Sequence, residues 1–300
     1  MQWVVIGARG MLGTDLVTLL RGRGEDVRAL DRDGFDVTDP VAVDREVVGA
    51  DVVVNCAAYT AVDAAEDDEA RAFAVNAVGA QHVARAAARH GVRLVHVSTD
   101  YVFDGGRPGS DASPYAEDAA LVPRSAYGRT KAAGEWAVRS EHPEALVVRT
   151  AWLYGAHGDC FPRTIARLVR ERGGLDVVDD QLGQPTWTED LAGLVVRLVE
   201  VDAPGGIYHG TSAGRASWWD FAREVVGAAG LDPGAVRPTS SEAFARPAAR
   251  PAWSVLGHDA LRQLGLEPIG DWRERWGVAA QRVLAGPGGP GAHVSSSDSR

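Results

Sequence analysis

Tyr127 and Lys131 stand four residues apart in "YGRTKAAGE", and Lys131 is the only lysine of the chain. On a helix this spacing puts both side chains on one face. The chemistry such a pair offers is proton transfer. A free tyrosine ionises at about pH 10. A positive charge beside the phenol favours phenolate and brings the group toward neutrality. A compact ammonium also suits donation to both hydroxyls of a ribose better than a planar guanidinium does. The chain uses arginine for its other positive side chains, so the exception falls where lysine has a chemical reason. The plainer alternative is an ion pair between Lys131 and Glu135, one turn on. Upstream, "VSTDYVF" ends a strand-like run and places hydroxyls, including that of Thr99, at its carboxyl edge.

A ribose-binding lysine needs a dinucleotide, and the N-terminus has a place for one. "VVIGARGMLG" sets Gly7, Gly10 and Gly13 at G-x-x-G-x-x-G spacing between a strand-like run and a helix-like one. Glycines let the backbone turn tightly and approach a pyrophosphate, whose charge sits on the helix N-terminus. In "VRALDRDG", Asp31 occupies the position of an acid that accepts hydrogen bonds from the adenosine ribose. That favours NADH, while Arg9 and Arg32 stand where either would meet a 2′-phosphate and keep NADPH open. Trp152 at a strand end fits a stacking wall for a sugar ring, or ordinary core. Arg246 and Arg250, in "ARPAARPAW", are candidates for a second pyrophosphate because arginine pairs bidentately with phosphate. Their alternative is a solvated loop.

These groups require a scaffold. The runs "WVVIG", "VRAL", "DVVVN", "RLVHVS" and "ALVVRT" are short, apolar and bounded by Gly, Asp or Asn. Strands buried on both faces of a parallel sheet have this pattern. Helical stretches alternate with them, among them "EARAFAVNAVGAQHVARAAARHG". The expected fold is therefore α/β, a Rossmann-type doubly wound parallel sheet with a smaller C-terminal α/β substrate domain. Residues 1–155 would form the dinucleotide domain, with segments near 187–212 returning to it. Residues 156–285 would be mainly substrate-binding. The Gly/Pro/Ser-rich stretch 286–300 is expected to be disordered.

A net charge of −10 argues against nucleic-acid binding. The two cysteines, Cys56 and Cys160, have no metal-type spacing and suggest a reducing compartment. No apolar run approaches membrane length. A cytoplasmic protein without nucleic-acid or membrane partners is expected.

Taken in order, "GARGMLG", "NCAAYTAVDAAE", "STDYVFDG", "YGRTK", "RTAWLYG", "DQLGQPTWTEDLA" and "ARPAARPAWSVL" resemble the dTDP-4-dehydrorhamnose reductases, which are extended short-chain dehydrogenase/reductases. The similarity spans roughly residues 1–285. It implies reduction of the C4 keto group of a dTDP-6-deoxy-4-ketohexose by NADPH or NADH, foremost dTDP-4-dehydro-L-rhamnose to dTDP-L-rhamnose. The family's catalytic triad falls on Thr99, Tyr127 and Lys131. Tyr127 would protonate the oxygen, Thr99 would hydrogen-bond it or tune the phenol, and Lys131 would hold the ribose and depress the Tyr127 pKa.

The resemblance further assigns cofactor contacts to Gly10, Met11, Leu12, Asp31, Asp36, Val37, Ala58, Tyr59 and Thr60. Tyr59 replaces a histidine of some members. Asp100 and Trp152 match positions that touch the sugar. Some members hold Mg²⁺ at an acidic dimer site, where Asp15 and Glu189 fall. Asp15 is shorter than the glutamate expected there, and carboxylates on two surface helices are ordinarily solvated, so no metal ligand is assigned and Mg²⁺ is left open. The resemblance leaves a homodimer open.

Three alternatives share the fold. A reductase of an antibiotic deoxysugar pathway, such as dTDP-dihydrostreptose synthase, has the same triad. A non-catalytic dinucleotide-binding regulatory subunit is disfavoured by the intact Thr99/Tyr127/Lys131 set. The third is a nucleotide-sugar epimerase or dehydratase; a dehydratase usually needs an Asp–Glu pair just after the catalytic hydroxyl residue, and here Tyr101 follows Asp100.

Overall fold

The computed structural model describes residues 1–106, 113–244 and 246–287; most of the stretch expected to be disordered lies outside them. The chain begins β1 (Gln2–Ile6), α1 (Met11–Gly22), β2 (Asp26–Leu30), α2 (Pro40–Val47), β3 (Val52–Asn55), α3 (Ala64–Asp67), α4 (Glu69–Phe73), α5 (Ala80–His90) and β4 (Arg93–Thr99). It continues α6 (Ala126–Glu141), β5 (Leu146–Thr150), β6 (Leu153–Tyr154), α7 (Phe161–Arg172), β7 (Leu175–Val178), β8 (Leu182–Gly183), β9 (Thr186–Trp187), α8 (Thr188–Glu200) and β10 (Gly206–His209). Then come β11 (Ser212–Ala213), β12 (Ala216–Ser217), α9 (Trp218–Ala228), β13 (Val236–Thr239), α10 (Asp259–Gln263), β14 (Ile269–Asp271) and α11 (Trp272–Ala285).

The main sheet has six strands in the order β10-β5-β4-β3-β1-β2, all paired in parallel. Its apolar runs are continuous because each strand feeds two layers. Trp3 and Val5 of β1 enter the core beneath α1 and α8. Val4 and Ile6 enter the opposite core beneath α2 and α5. Alternate side chains of a strand point to opposite faces, so a strand covered on both sides has no polar face to show. Chain order reverses at β1: α1 leads outward to β2, and β3 returns on the other flank. This reversal opens the crevice in which doubly wound sheets bind ligands.

A third core gathers Tyr154, Trp187, Phe221, Val225, Trp272 and Trp276 from the C-terminal elements. Two segments link the regions: α8 packs on α1, and β10 forms the edge of the main sheet beside β5.

The helix expected across "EARAFAVNAVGAQHVARAAARHG" is interrupted. Residues Ala74–Gly79 form a π turn between α4 and α5. Its Asn76 is buried, accepts from Tyr59 N (2.7 Å) and donates to Tyr59 O (3.2 Å) and Thr130 Oγ1 (3.0 Å). One extra residue in the turn thus aims a side chain that fixes the backbone after β3.

Candidate functional site

The glycine loop joins β1 to α1. Gly7 has φ +78°, and a Cβ there would come within 2.8 Å of Ala57 N. A Cβ at Gly13 would strike the Gly7 carbonyl, so only glycine lets α1 start against the loop. No side chain caps α1 and its first turn holds no acid. Its leading N–H groups, at Met11 and Leu12 among others, suit an anion. Asp31 follows β2 and is held by the loop itself: Oδ2 accepts from Arg9 N and Oδ1 from Arg32 N, both at 2.8 Å. The Arg9 side chain pairs with Asp33. Asp36 Oδ1 accepts from Thr38 N (2.9 Å) and Oγ1 (2.8 Å), while Val37 is buried in the core. Ala58, Tyr59 and Thr60 follow β3. Gly7, Gly10, Asp31, Ala58, Tyr59 and Thr60 thus follow the carboxyl ends of β1, β2 and β3, where the loop fits a dinucleotide, whereas Leu12 and Val37 pack in the cores.

Thr99 ends β4, and Ser125 caps α6 by accepting from Gly128 N, which sets Tyr127 in the first turn. The Tyr127 phenol is buried and within hydrogen-bonding reach of Thr99. Thr99 Oγ1 donates to Asp100 Oδ1 at 2.9 Å, and Asp100 Oδ2 is buried without a hydrogen-bond partner. Burial pushes the Asp100 carboxyl up to about 6. It also pushes the Tyr127 phenol up to about 12. The expected depression by Lys131 is therefore overturned in the protein alone: loss of hydration outweighs the help of Thr99, and the Asp100 charge adds to the rise.

Lys131 is 2% exposed. Its Nζ donates to Val97 O at 2.7 Å, and burial pushes its pKa down to about 8. It makes no ion pair with Glu135. That carboxylate is held by Arg149 through Nε (2.9 Å) and Nη2 (2.8 Å), with Ser98 Oγ donating at 2.6 Å. The i,i+4 alternative for the unique lysine is therefore not what the fold builds.

Beyond the triad, Trp152 adopts φ 48°, unusual for a bulky residue. Its ring stacks on Trp218 at 3.6 Å with planes 8° apart. Arg250 Nη2 lies 2.8 Å and Arg246 Nη1 4.0 Å from Asp63 Oδ2, so both arginines converge on one carboxylate. Arg250 also lines a small cleft with Tyr101, Asp104 and Arg124. Asn76 and Arg124 were not singled out from the sequence. Arg124 immediately precedes the helix cap, and a basic residue beside a cap is the one local signal it offered.

A sequence model of the RmlD substrate binding domain matches residues 1–284. The chain belongs to this family. A probable dTDP-4,6-dihydroxy-2-methyloxan-3-one 4-ketoreductase from Streptomyces antibioticus is 51% identical over 290 residues, covering 95% of this chain and 96% of the relative. A dTDP-4-dehydrorhamnose reductase from Mycobacterium tuberculosis is 46% identical over 285 residues, covering 95% and 92%. The solved structure of a dTDP-4-dehydrorhamnose reductase from Bacillus anthracis, in complex with NADP, aligns with TM-score 0.87 at 36% identity over 93% of this chain and 98% of that one.

For this member of the RmlD family, the carboxylates weighed for Mg²⁺ do not fit the ion. Asp15 is buried rather than solvated, because α1 packs on α8. It accepts from Thr188 Oγ1, and His157 Nε2 lies 3.5 Å away. Both oxygens of Glu189 accept from Arg282. A guanidinium thus stands where a cation would. Among the described residues no cluster of His, Cys, Asp or Glu could hold a metal, and no described helix is long and apolar enough to cross a membrane. The expected outcome of EDTA treatment is an unchanged reduction rate in a spectrophotometric NADPH assay.

Proposed function

We propose that the protein reduces the C4 ketone of a dTDP-6-deoxy-4-ketohexose, foremost dTDP-4-dehydro-L-rhamnose, using NADPH or NADH. The observation that supports this reading is the Tyr127 phenol beside Thr99 at the carboxyl end of β4, with Lys131 one turn on along α6 and donating to Val97 O of the same strand. The bound dinucleotide supplies a hydride to the sugar C4. Tyr127 gives its phenolic proton to the C4 oxygen, so the ketone becomes a secondary alcohol and the phenol a phenolate. A phenol pushed up to about 12 is fully protonated at neutral pH, the form that reduction needs. Thr99, donating to Asp100 and accepting from Tyr101 N, has one lone pair left to accept from the phenol and orient it. Lys131 spends one of three donors on Val97 O, leaving others for a ribose. The unpartnered Asp100 Oδ2 suits a sugar hydroxyl. Arg246 and Arg250 would meet the dTDP pyrophosphate by exchanging Asp63 for it.

The relative from Streptomyces antibioticus supports a second reading, a 4-ketoreductase of another deoxysugar. Incubation with NADPH and dTDP-4-keto-6-deoxyglucose, with and without a 3,5-epimerase, separates the two. Reduction only with the epimerase gives dTDP-L-rhamnose by NMR, and reduction without it gives the second reading. Absence of NADPH oxidation with both would sink the enzyme assignment. The pH profile follows from Lys131, whose charge is complete well below about 8 and lost above it. NADPH affinity and kcat are expected to fall together as pH rises through that value. Steady-state rates from pH 6 to 10 check this, and a profile that stays flat through pH 8 would contradict it.

A further inference from the structure

We infer that Arg149 is a positioning residue for Lys131: by holding both carboxylate oxygens of Glu135, it keeps that carboxylate off the ammonium one turn away and leaves the lysine's donors for a ribose. The inference rests on the reading of Lys131 as the ribose-binding group.

At i,i+4 on α6, Glu135 is the default partner of Lys131. Arg149 is the competitor. It reaches Glu135 from β5 in the bidentate geometry that guanidinium and carboxylate favour. Both side chains are 1% exposed. Arg149 is itself locked, since Nη1 donates to Glu117 O at 3.0 Å and its guanidinium lies 4.9 Å from the Phe103 ring centre. Ser98, the neighbour of Thr99, adds a third donor to Glu135. Through this carboxylate, α6 is tied to the carboxyl ends of β4 and β5, the level at which Thr99 and Tyr127 meet.

The other groups facing Lys131 are neutral. Burial pushes the Cys56 thiol, at the end of β3, up to about 12. It holds the His96 imidazole, on β4, well below its usual range. Among the described residues, Glu135 is therefore the carboxylate placed to capture the ammonium in the resting protein. A carboxylate freed of Arg149 inside this core would have strong reason to do so, because an unpaired buried charge is costly.

The unique lysine makes a direct readout available. Protein labelled with ¹³C,¹⁵N-lysine gives a single lysine side-chain signal, whose titration and response to NADPH report on Lys131 alone. Arg149→Met is expected to raise the Lys131 pKa by about one unit and to weaken NADPH binding, measured calorimetrically, about tenfold. Adding Glu135→Gln should bring affinity back to within about threefold of the parent, as should Glu135→Gln alone. If the double variant binds NADPH no better than Arg149→Met, or the lysine titrates identically in both, the inference is overturned.

Should Arg149→Met not fold, the comparison of Glu135→Gln with Arg149→Met/Glu135→Gln decides. Equal affinities support the inference, and a tenfold gap shows that Arg149 acts without Glu135 and overturns it. The ribose reading is judged separately. If saturating NADPH leaves the lysine signal of the parent protein unmoved, that reading fails whatever the arginine variants do.

Discussion

Tyr127→Phe is expected to lower kcat by a factor of about 10²–10⁴, the range general acid catalysis supplies, while leaving NADPH affinity within about threefold, because Lys131 keeps its place on Val97 O. The reasoning starts from the ketone. Hydride addition leaves charge on the C4 oxygen, and the phenol is the donor the fold brings to this point. The substitution removes only that donor. Its ring stays where it packs, edge-on to Tyr101 at 5.5 Å between centres. Thr99 keeps its bond to Asp100, so no buried donor is orphaned and stability should change by less than about 1.5 kcal/mol. Stopped-flow single turnovers separate the chemical step from product release. Activity retained within tenfold would mean that another acid, with Asp100 as the first suspect, protonates the oxygen.

The parts of the site written in local pattern were legible before the structure. The glycine loop, the apolar strands and the Tyr127–Lys131 spacing each depend on residues within a few positions of one another. What escaped was set by distant partners. Nothing in "AVNAVG" marks a π turn; it exists because Asn76 meets the backbone of Tyr59 and the Thr130 hydroxyl. Asp15 reads as a surface acid on α1 until α8, from far along the chain, covers it and supplies Thr188. Glu135 reads as the partner of Lys131 until β5 is laid beside β4 and brings in Arg149. The raised Tyr127 pKa has the same origin. A neighbouring charge is visible in sequence, whereas loss of hydration depends on everything packed around the phenol.

Lys131 is where these long-range effects produce opposite results for stability and for function. The residue is 2% exposed, and burial disfavours the charged form enough to bring its pKa down to about 8. Lys131→Met keeps the length of the side chain and removes that buried charge. The lost bond to Val97 O offsets part of the gain, at about 1 kcal/mol. The expected result is a Tm equal to or above the parent value, with kcat/KM lower by about 10²–10³. Lys131→Arg should fail differently. Its charge is preserved, but a wider, planar group must enter the closed site beside Val97, and overpacking costs about 1–3 kcal/mol. Both Tm and kcat/KM should fall. Thermal denaturation and steady-state kinetics on the two variants test this account together. Full activity in Lys131→Arg would show that any cation serves here. A Tm drop in Lys131→Met as large as in Lys131→Arg would show that the ammonium is a structural tie rather than a charge held for the cofactor.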